Sequence, residues 1–277
     1  MKRIVSQIGL MLVLGGGCYL AYAVSQSDTN ELLFNRAAWV IPIALFLGIF
    51  TGAMIGREEP KFVNGKVLRH SWGSSLYHLS WALSGILLIV TGIYVGFFFI
   101  PRLVDNPQAV AFMYNLHFIA ILVFLFGISA HLTEMYVTSK FKEHMPESRD
   151  VGDAVAHYAS KLGGGKKPRE GKYLASEKIS YPVWMVIIGL VALTGFIKVV
   201  AHIWNIPAGV MGVSTFIHDL AALAIVALLI VHLVLGVLAP WSWYLLRSLL
   251  TGFVSEGDVK KYHPKWYDEL TGREKTQ

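Results

Sequence analysis

Cysteine is almost absent: Cys18 is the only one in 277 residues. One thiol excludes an internal disulfide, a Cys-ligated iron–sulfur cluster and a CxxCH haem attachment within this chain. Charge is scarce too. Asp, Glu, Lys and Arg make up 15% of the residues, against about 25% in soluble domains. Apolar residues supply 55%, and the mean hydropathy is +0.53. This composition reads as an integral membrane protein. The net charge of +6 then belongs to loops on one side of a bilayer rather than to nucleic-acid binding.

Six apolar stretches are expected to span: 8–25, 37–56, 74–100, 113–137, 181–202 and 213–241. Each is near or above the ~18 residues a spanning helix needs. Basic residues sit in alternate loops: Lys2 and Arg3, then Arg57, Lys61, Lys66 and Arg69. The 138–179 loop carries nine more, from Lys140 to Lys178, and Arg247, Lys260, Lys261 and Lys265 follow the last span. The opposite loops hold only Arg36, Arg102 and Lys198. This bias places both termini and the 138–179 loop in the cytoplasm. The first span has a rival reading as a secretory signal, because Ala21-Tyr22-Ala23 resembles a cleavage site; a retained helix is the expectation. Gly163-Gly164-Gly165 reads as a turn or linker, 151–162 as a short surface helix, and 241–253 as a surface or extended helix.

Four histidines form two pairs of equal spacing, His117 with His131 and His218 with His232, each 14 residues apart. Fourteen residues rise about 21 Å, nearly four helical turns. Both rings of a pair therefore share roughly one face, toward opposite edges of an apolar core about 30 Å thick. Imidazole in lipid is costly and is usually functional, and axial ligation of haem iron is its natural use here. Topology lets His117 and His218 share a haem near the periplasm. It lets His232 share a second near the cytoplasm with either His78 or His131. The bland reading, a hydrogen-bonded histidine at a helix interface, weakens when four lie at matching depths. His202 reads as structural, and His70, His144, His157 and His263 as solvated. Gly85, Gly92, Gly96, Gly127, Gly189, Gly195 and Gly236 fit either room for a flat macrocycle or ordinary helix packing.

From Ser74 onward the chain resembles the cytochrome b (gamma) subunit of respiratory formate dehydrogenases. The resemblance rests on Tyr77-His78 with Gly92, Asn115-Leu116-His117, Met145-Pro146 with Asp150, and Gly171-Lys172-Tyr173. It continues through Thr194-Gly195, Ile217-His218 to His232, and the specific tail Tyr262-His263-Pro264-Lys265-Trp266-Tyr267. The resemblance implies an all-α membrane protein, a four-helix dihaem cytochrome b bundle, here with two extra N-terminal transmembrane helices. Its ligand set falls on His117 with His218 and on His78 with His232. His131 stands where the family has an apolar residue, which keeps it as an alternative ligand or a proton-handling group beside Glu134.

The resemblance further implies two b-type haems and a quinone, menaquinone or ubiquinone, as electron acceptor. The implied quinone segment contains Tyr173, Ser176 and Glu177; their structural reading is an interfacial anchor and a helix cap. The implied partners are a periplasmic iron–sulfur (beta) subunit and a molybdenum or tungsten pterin catalytic (alpha) subunit, which holds the formate-oxidising site. No catalytic residue is expected in this chain. The expected domains are 1–73, 74–254 and a cytoplasmic tail at 255–277. Rival readings are the cytochrome b anchor of a quinone-linked hydrogenase or of a thiosulfate or polysulfide reductase, a haem-free anchor or transporter, and a self-sufficient transmembrane reductase.

Overall fold

The computed structural model describes residues 1–27, 29, 31–56, 58–97 and 100–272. Arg57, used above to orient the chain, and the tail residues 273–277 lie outside the described residues, as do two residues near the end of the expected third span. In chain order the helices are α1 (Lys2–Ser25), α2 (Leu33–Ala37), α3 (Val40–Ile55), α4 (Trp72–Val95), α5 (Pro107–Val137) and α6 (Phe141–His144). They continue with α7 (Asp150–Lys161), α8 (Ala175–Val200), α9 (Ala208–Leu233), α10 (Trp243–Thr251), α11 (Glu256–Tyr262) and α12 (Pro264–Thr271). Short strands β1 (Phe62–Val63), β2 (Lys66–Leu68) and β3 (Phe253–Ser255) complete the order.

Five helices, α1, α4, α5, α8 and α9, are long and apolar enough to cross a membrane. Within the segment expected as a second span, 37–56, α2 ends at Ala37 and the 16-residue α3 runs from Val40 to Ile55. Sixteen residues rise about 24 Å, short of a core about 30 Å thick. The last apolar stretch also departs from a plain helix. Pro240 cannot donate a backbone N–H and crowds the preceding turn, and Val234–Leu238 relax into a π turn closed by Ala239 N to Val234 O at 3.0 Å.

Contacts divide the chain into two units. The first comprises Met1–Gly56, Trp72–Val137 and Ile187–Leu229. Its organising element is α5, whose start is set by Asn106: its Oδ1 accepts from the amides of Gln108 (2.9 Å) and Ala109 (3.2 Å), with Pro107 at the first helical position. In lipid no hydrophobic drive holds helices together, so close packing must. Small residues provide it. Gly48 and Gly52 lie one turn apart on α3 against α5, and a methyl group at Gly52 would stand 2.8 Å from Thr133 Cβ and 3.0 Å from the Ala130 carbonyl carbon. Fully buried Asn115 ties the α2 entry to α5: Leu33 N donates to its Oδ1 at 2.7 Å, and its Nδ2 donates to Glu31 O at 2.9 Å. Helices α8 and α9 pack more sparsely than this group.

The second unit comprises Arg57–Ser71, Thr138–Val186 and Ile230–Gln277. It contains the antiparallel sheet β1-β2-β3, which an all-α expectation lacks. Asn64 (φ 49°) and Gly65 (φ 71°) turn the hairpin between β1 and β2, the left-handed pair a two-residue turn demands. Val67, Val254, Val259, Trp266 and Tyr267 form an apolar core, each contributing about 1.5–3 kcal/mol on burial from water. The described part of the expected tail therefore packs as part of this unit. Two expectations of solvated histidines are also corrected. His263 is fully buried and His157 nearly so, because the segments of this unit build a core of their own.

Candidate functional site

In the first unit, His117 on α5 and His218 on α9 lie within electrostatic reach of each other, and Lys198 lies within reach of both. Each ring is met by a threonine from the preceding long helix. Thr91 Oγ1 stands 2.7 Å from His117 Nδ1, and Thr194 Oγ1 stands 3.0 Å from His218 Nδ1. With Nδ1 engaged in both rings, Nε2 is the nitrogen each presents to a metal. A methyl group at Gly195 would stand 3.2 Å from His218 Cε1, whereas at Gly85, Gly92 and Gly189 it would meet nothing within 4 Å. Two imidazoles with anchored Nδ1 atoms, one of them packed on a glycine, fit a flat bis-histidine macrocycle. Among the described residues no three His, Cys, Asp or Glu gather as a cage for a bare ion.

His78 and His131 sit in different surroundings in the same unit. His131 is 4% exposed, enclosed by the rings of Tyr77 and Trp81, each with its centroid 4.8 Å away. Glu134, one turn on, is fully buried. His78 is half-buried on α4, 6.4 Å from Trp81. At the far end of this unit, His202 stacks on Phe34 (5.2 Å) and shares a 2.7 Å hydrogen bond with Asn35. In the second unit His232 lies edge-on to Trp184 at 6.4 Å.

The second unit also holds Tyr173, Ser176 and Glu177. Glu177 is the third residue of α8, and its Oε2 accepts from Leu174 N at 2.8 Å. That is the carboxylate half of a capping box. Arg69 Nη2 donates to both of its oxygens, at 2.9 and 3.2 Å, and to the Lys172 carbonyl at 3.0 Å. The Arg69 side chain is 2% exposed and that of Glu177 37%. Glu177 therefore works as a cap and counter-charge. Tyr173 lies under the cations of Arg69 (5.7 Å) and Lys172 (5.1 Å) and against His144 (4.1 Å). Burial pushes its phenol well above the ordinary range, so it stays a proton-bearing donor. Ser176 Oγ accepts from Tyr158 at 3.2 Å. Tyr173 borders an open groove of about 460 Å³ with charged walls, Glu143, Lys172 and Lys178 among them.

A role that the sequence left open belongs to His263. Its Nδ1 donates to Gly171 O at 2.6 Å, and its Nε2 accepts from Tyr244 at 3.0 Å. Burial and the nearby Arg69 cation pull its pKa down to about 3, so the ring is neutral and its tautomer fixed. The His-Pro-Lys-Trp-Tyr run thus locks the Gly171-Lys172-Tyr173 turn in place. Signal for this contact existed only as two motifs far apart in the chain. The threonines went unassigned in the same way: Thr194-Gly195 stood out as a motif, but its contact with His218 is visible only in three dimensions.

The family model described as prokaryotic cytochrome b561 matches residues 69–252. The chain is similar to the nitrate-inducible formate dehydrogenase cytochrome b556 subunit of Escherichia coli, 27% identical over 153 residues, 52% of this chain and 67% of that protein. It is similar also to the formate dehydrogenase cytochrome b556 subunit of Haemophilus influenzae, 25% identical over 215 residues, 74% of this chain and 83% of that protein.

Proposed function

Since the chain belongs to the prokaryotic cytochrome b561 family, we propose that it is the membrane electron-transfer subunit of a formate dehydrogenase complex. Membership implies a b-type haem, and the five apolar helices make the chain a multi-pass membrane protein. The observation that carries the reading is the matched pair of His117 and His218, each with its Nδ1 held by a threonine. When bound, haem supplies a one-electron carrier inside the bilayer. His117 and His218 would hold it through Nε2, and Lys198 provides a positive charge beside the pair. A second haem, held by His78 and His232, rests on the sequence resemblance.

The complex takes electrons from a periplasmic iron–sulfur subunit, itself fed by a molybdenum or tungsten pterin subunit that oxidises formate. It delivers them to a membrane quinone on the cytoplasmic side. Tyr173 is the quinone-facing donor and Ser176 its neighbour, while Glu177 holds the α8 start that presents them. The four ligands lie on α4, α5 and α9, α8 is the fourth helix of the bundle, and the helices before α4 are additions to it. The names of the relatives favour formate dehydrogenase over a hydrogenase or sulfur-compound reductase anchor.

The test is a pyridine haemochrome assay per polypeptide on the purified subunit and on two variants. Wild type should carry two b haems, and His117→Ala or His218→Ala should each remove one. Quinone reduction by formate should fall in both variants, while dye reduction by the catalytic subunit persists. Unchanged haem content in both variants would refute the assignment.

A further inference from the structure

We infer that Thr91 and Thr194 are positioning residues that fix the tautomer of His117 and His218 and set the reduction potential of the iron these rings hold. The inference rests on the bis-histidine reading above. Thr91 Oγ1 lies 2.7 Å from the Leu87 carbonyl one turn back, and Thr194 Oγ1 lies 2.7 Å from the Leu190 carbonyl. A hydroxyl has one proton. In an apolar span that proton goes to the carbonyl of the preceding turn, and the oxygen is then left as an acceptor only. The facing Nδ1 must be the donor, so each ring is an Nδ1–H tautomer with its Nε2 lone pair available to a metal. An Nε2–H tautomer would block ligation outright.

The same hydrogen bond acts on the electronics. An Nδ1–H that donates makes the imidazole a stronger base toward the metal. A stronger donor favours the ferric over the ferrous state, so the threonines lower the potential. The device occurs twice. Each threonine is followed by a glycine, Thr91-Gly92 and Thr194-Gly195, and each serves a histidine on the next long helix, 26 and 24 residues on. The two copies are not equal. Thr91 Oγ1 stands 2.7 Å from its ring nitrogen and Thr194 Oγ1 3.0 Å from its own, so the first contact is the closer. Thr91 should therefore matter more.

The crossed pair Thr91→Val and Thr91→Ser separates this role from mere packing. Valine keeps the shape and loses the acceptor; serine keeps the acceptor and loses a methyl group. The readout is a spectroelectrochemical titration of the haem absorbance in the full-length subunit. The relevant wave is the one that disappears in His117→Ala. Thr91→Val should raise that midpoint by about 59 mV, a tenfold shift of a one-electron equilibrium. Thr91→Ser should stay at the wild-type midpoint, and Thr194→Val should move in the same direction by less. A wild-type midpoint in Thr91→Val, or an equal shift in both Thr91 variants, would overturn the inference. If Thr91→Val binds no haem, Thr91→Ser decides: a wild-type midpoint upholds the role and haem loss ends it. Failure of the underlying reading is distinct, since haem content would then be unmoved in His117→Ala.

Discussion

Changing Glu177 to Gln separates a capping carboxylate from a proton donor to quinone. The carboxylate accepts three hydrogen bonds, one from Leu174 N and two from Arg69. Glutamine keeps the Leu174 bond through its carbonyl oxygen, and Arg69 keeps the Lys172 carbonyl. What is lost is the counter-charge of a guanidinium whose side chain is 2% exposed. Breaking a fully buried pair costs about 3–5 kcal/mol. Glu177 is 37% exposed, so water screens part of the interaction. The expected cost is about 1.5–3 kcal/mol, the range for hydrogen bonds to a charged group. At roughly 2–4 °C per kcal/mol, the midpoint of thermal unfolding should fall by about 3–12 °C. Tryptophan fluorescence of the detergent-purified chain reads this directly. The quinone reduction rate of the assembled complex, per folded subunit, should be unchanged. An unchanged midpoint together with a rate loss of about tenfold, near 1.4 kcal/mol of transition-state stabilisation, would refute the capping argument. The double variant Arg69→Met with Glu177→Leu should be more stable than Glu177→Leu alone, because no unpaired charge remains buried.

Three further outcomes are expected. His263 accepts no proton in the folded state until about pH 3, while an unfolded histidine protonates near 6.5. Between those values the unfolded state binds more protons, so this contribution is whole above pH 6.5 and is lost as pH falls, by up to about 1.4 kcal/mol per unit. Thermal midpoints measured from pH 8 to 5 should show this slope, and His263→Asn should flatten it. Gly52→Val should destabilise by about 1–3 kcal/mol through forced separation of α3 from α5, whereas Gly15→Ala, whose added carbon meets nothing within 4 Å, should be neutral or stabilising; equal midpoints would remove the close-packing argument. His131→Leu should retain the full haem content per polypeptide, and loss of one haem would make His131 a ligand.

The membrane helices were legible because their signal is local. Composition over some 20 residues decides whether a segment suits lipid, and α4, α5, α8 and α9 follow the apolar runs closely. The 37–56 stretch holds a shorter helix than its apolar run: hydropathy counts apolar residues but does not see that α2 ends at Ala37 and α3 begins at Val40. The second unit was not legible for the opposite reason. Its sheet joins Lys66–Leu68 to Phe253–Ser255, a pairing across most of the chain. The Asn64-Gly65 turn was a readable hairpin signal, but neither two- nor three-residue strand carries any periodicity. His157 illustrates the same point. In a polar stretch it reads as solvated, yet its Nδ1 meets the buried Glu170 at 3.0 Å.

The histidine spacing shows how far a repeated interval reaches. His117 to His131 and His218 to His232 are equal steps along two helices, which makes His131 and His232 look equivalent. Spacing along one helix fixes only direction and depth; what a ring does depends on what the neighbouring helix brings to it. At His117 and His218 the neighbour brings the same thing, a Thr-Gly pair with its hydroxyl at Nδ1. At His131 it brings the closed faces of Tyr77 and Trp81, leaving 4% of the residue exposed. His232 lies edge-on to Trp184 and near Gly236, where an added carbon would stand 4.0 Å from its Cε1. The contact repeated between helices is the threonine–histidine one at His117 and His218, and the 14-residue interval records the helical geometry the two segments share.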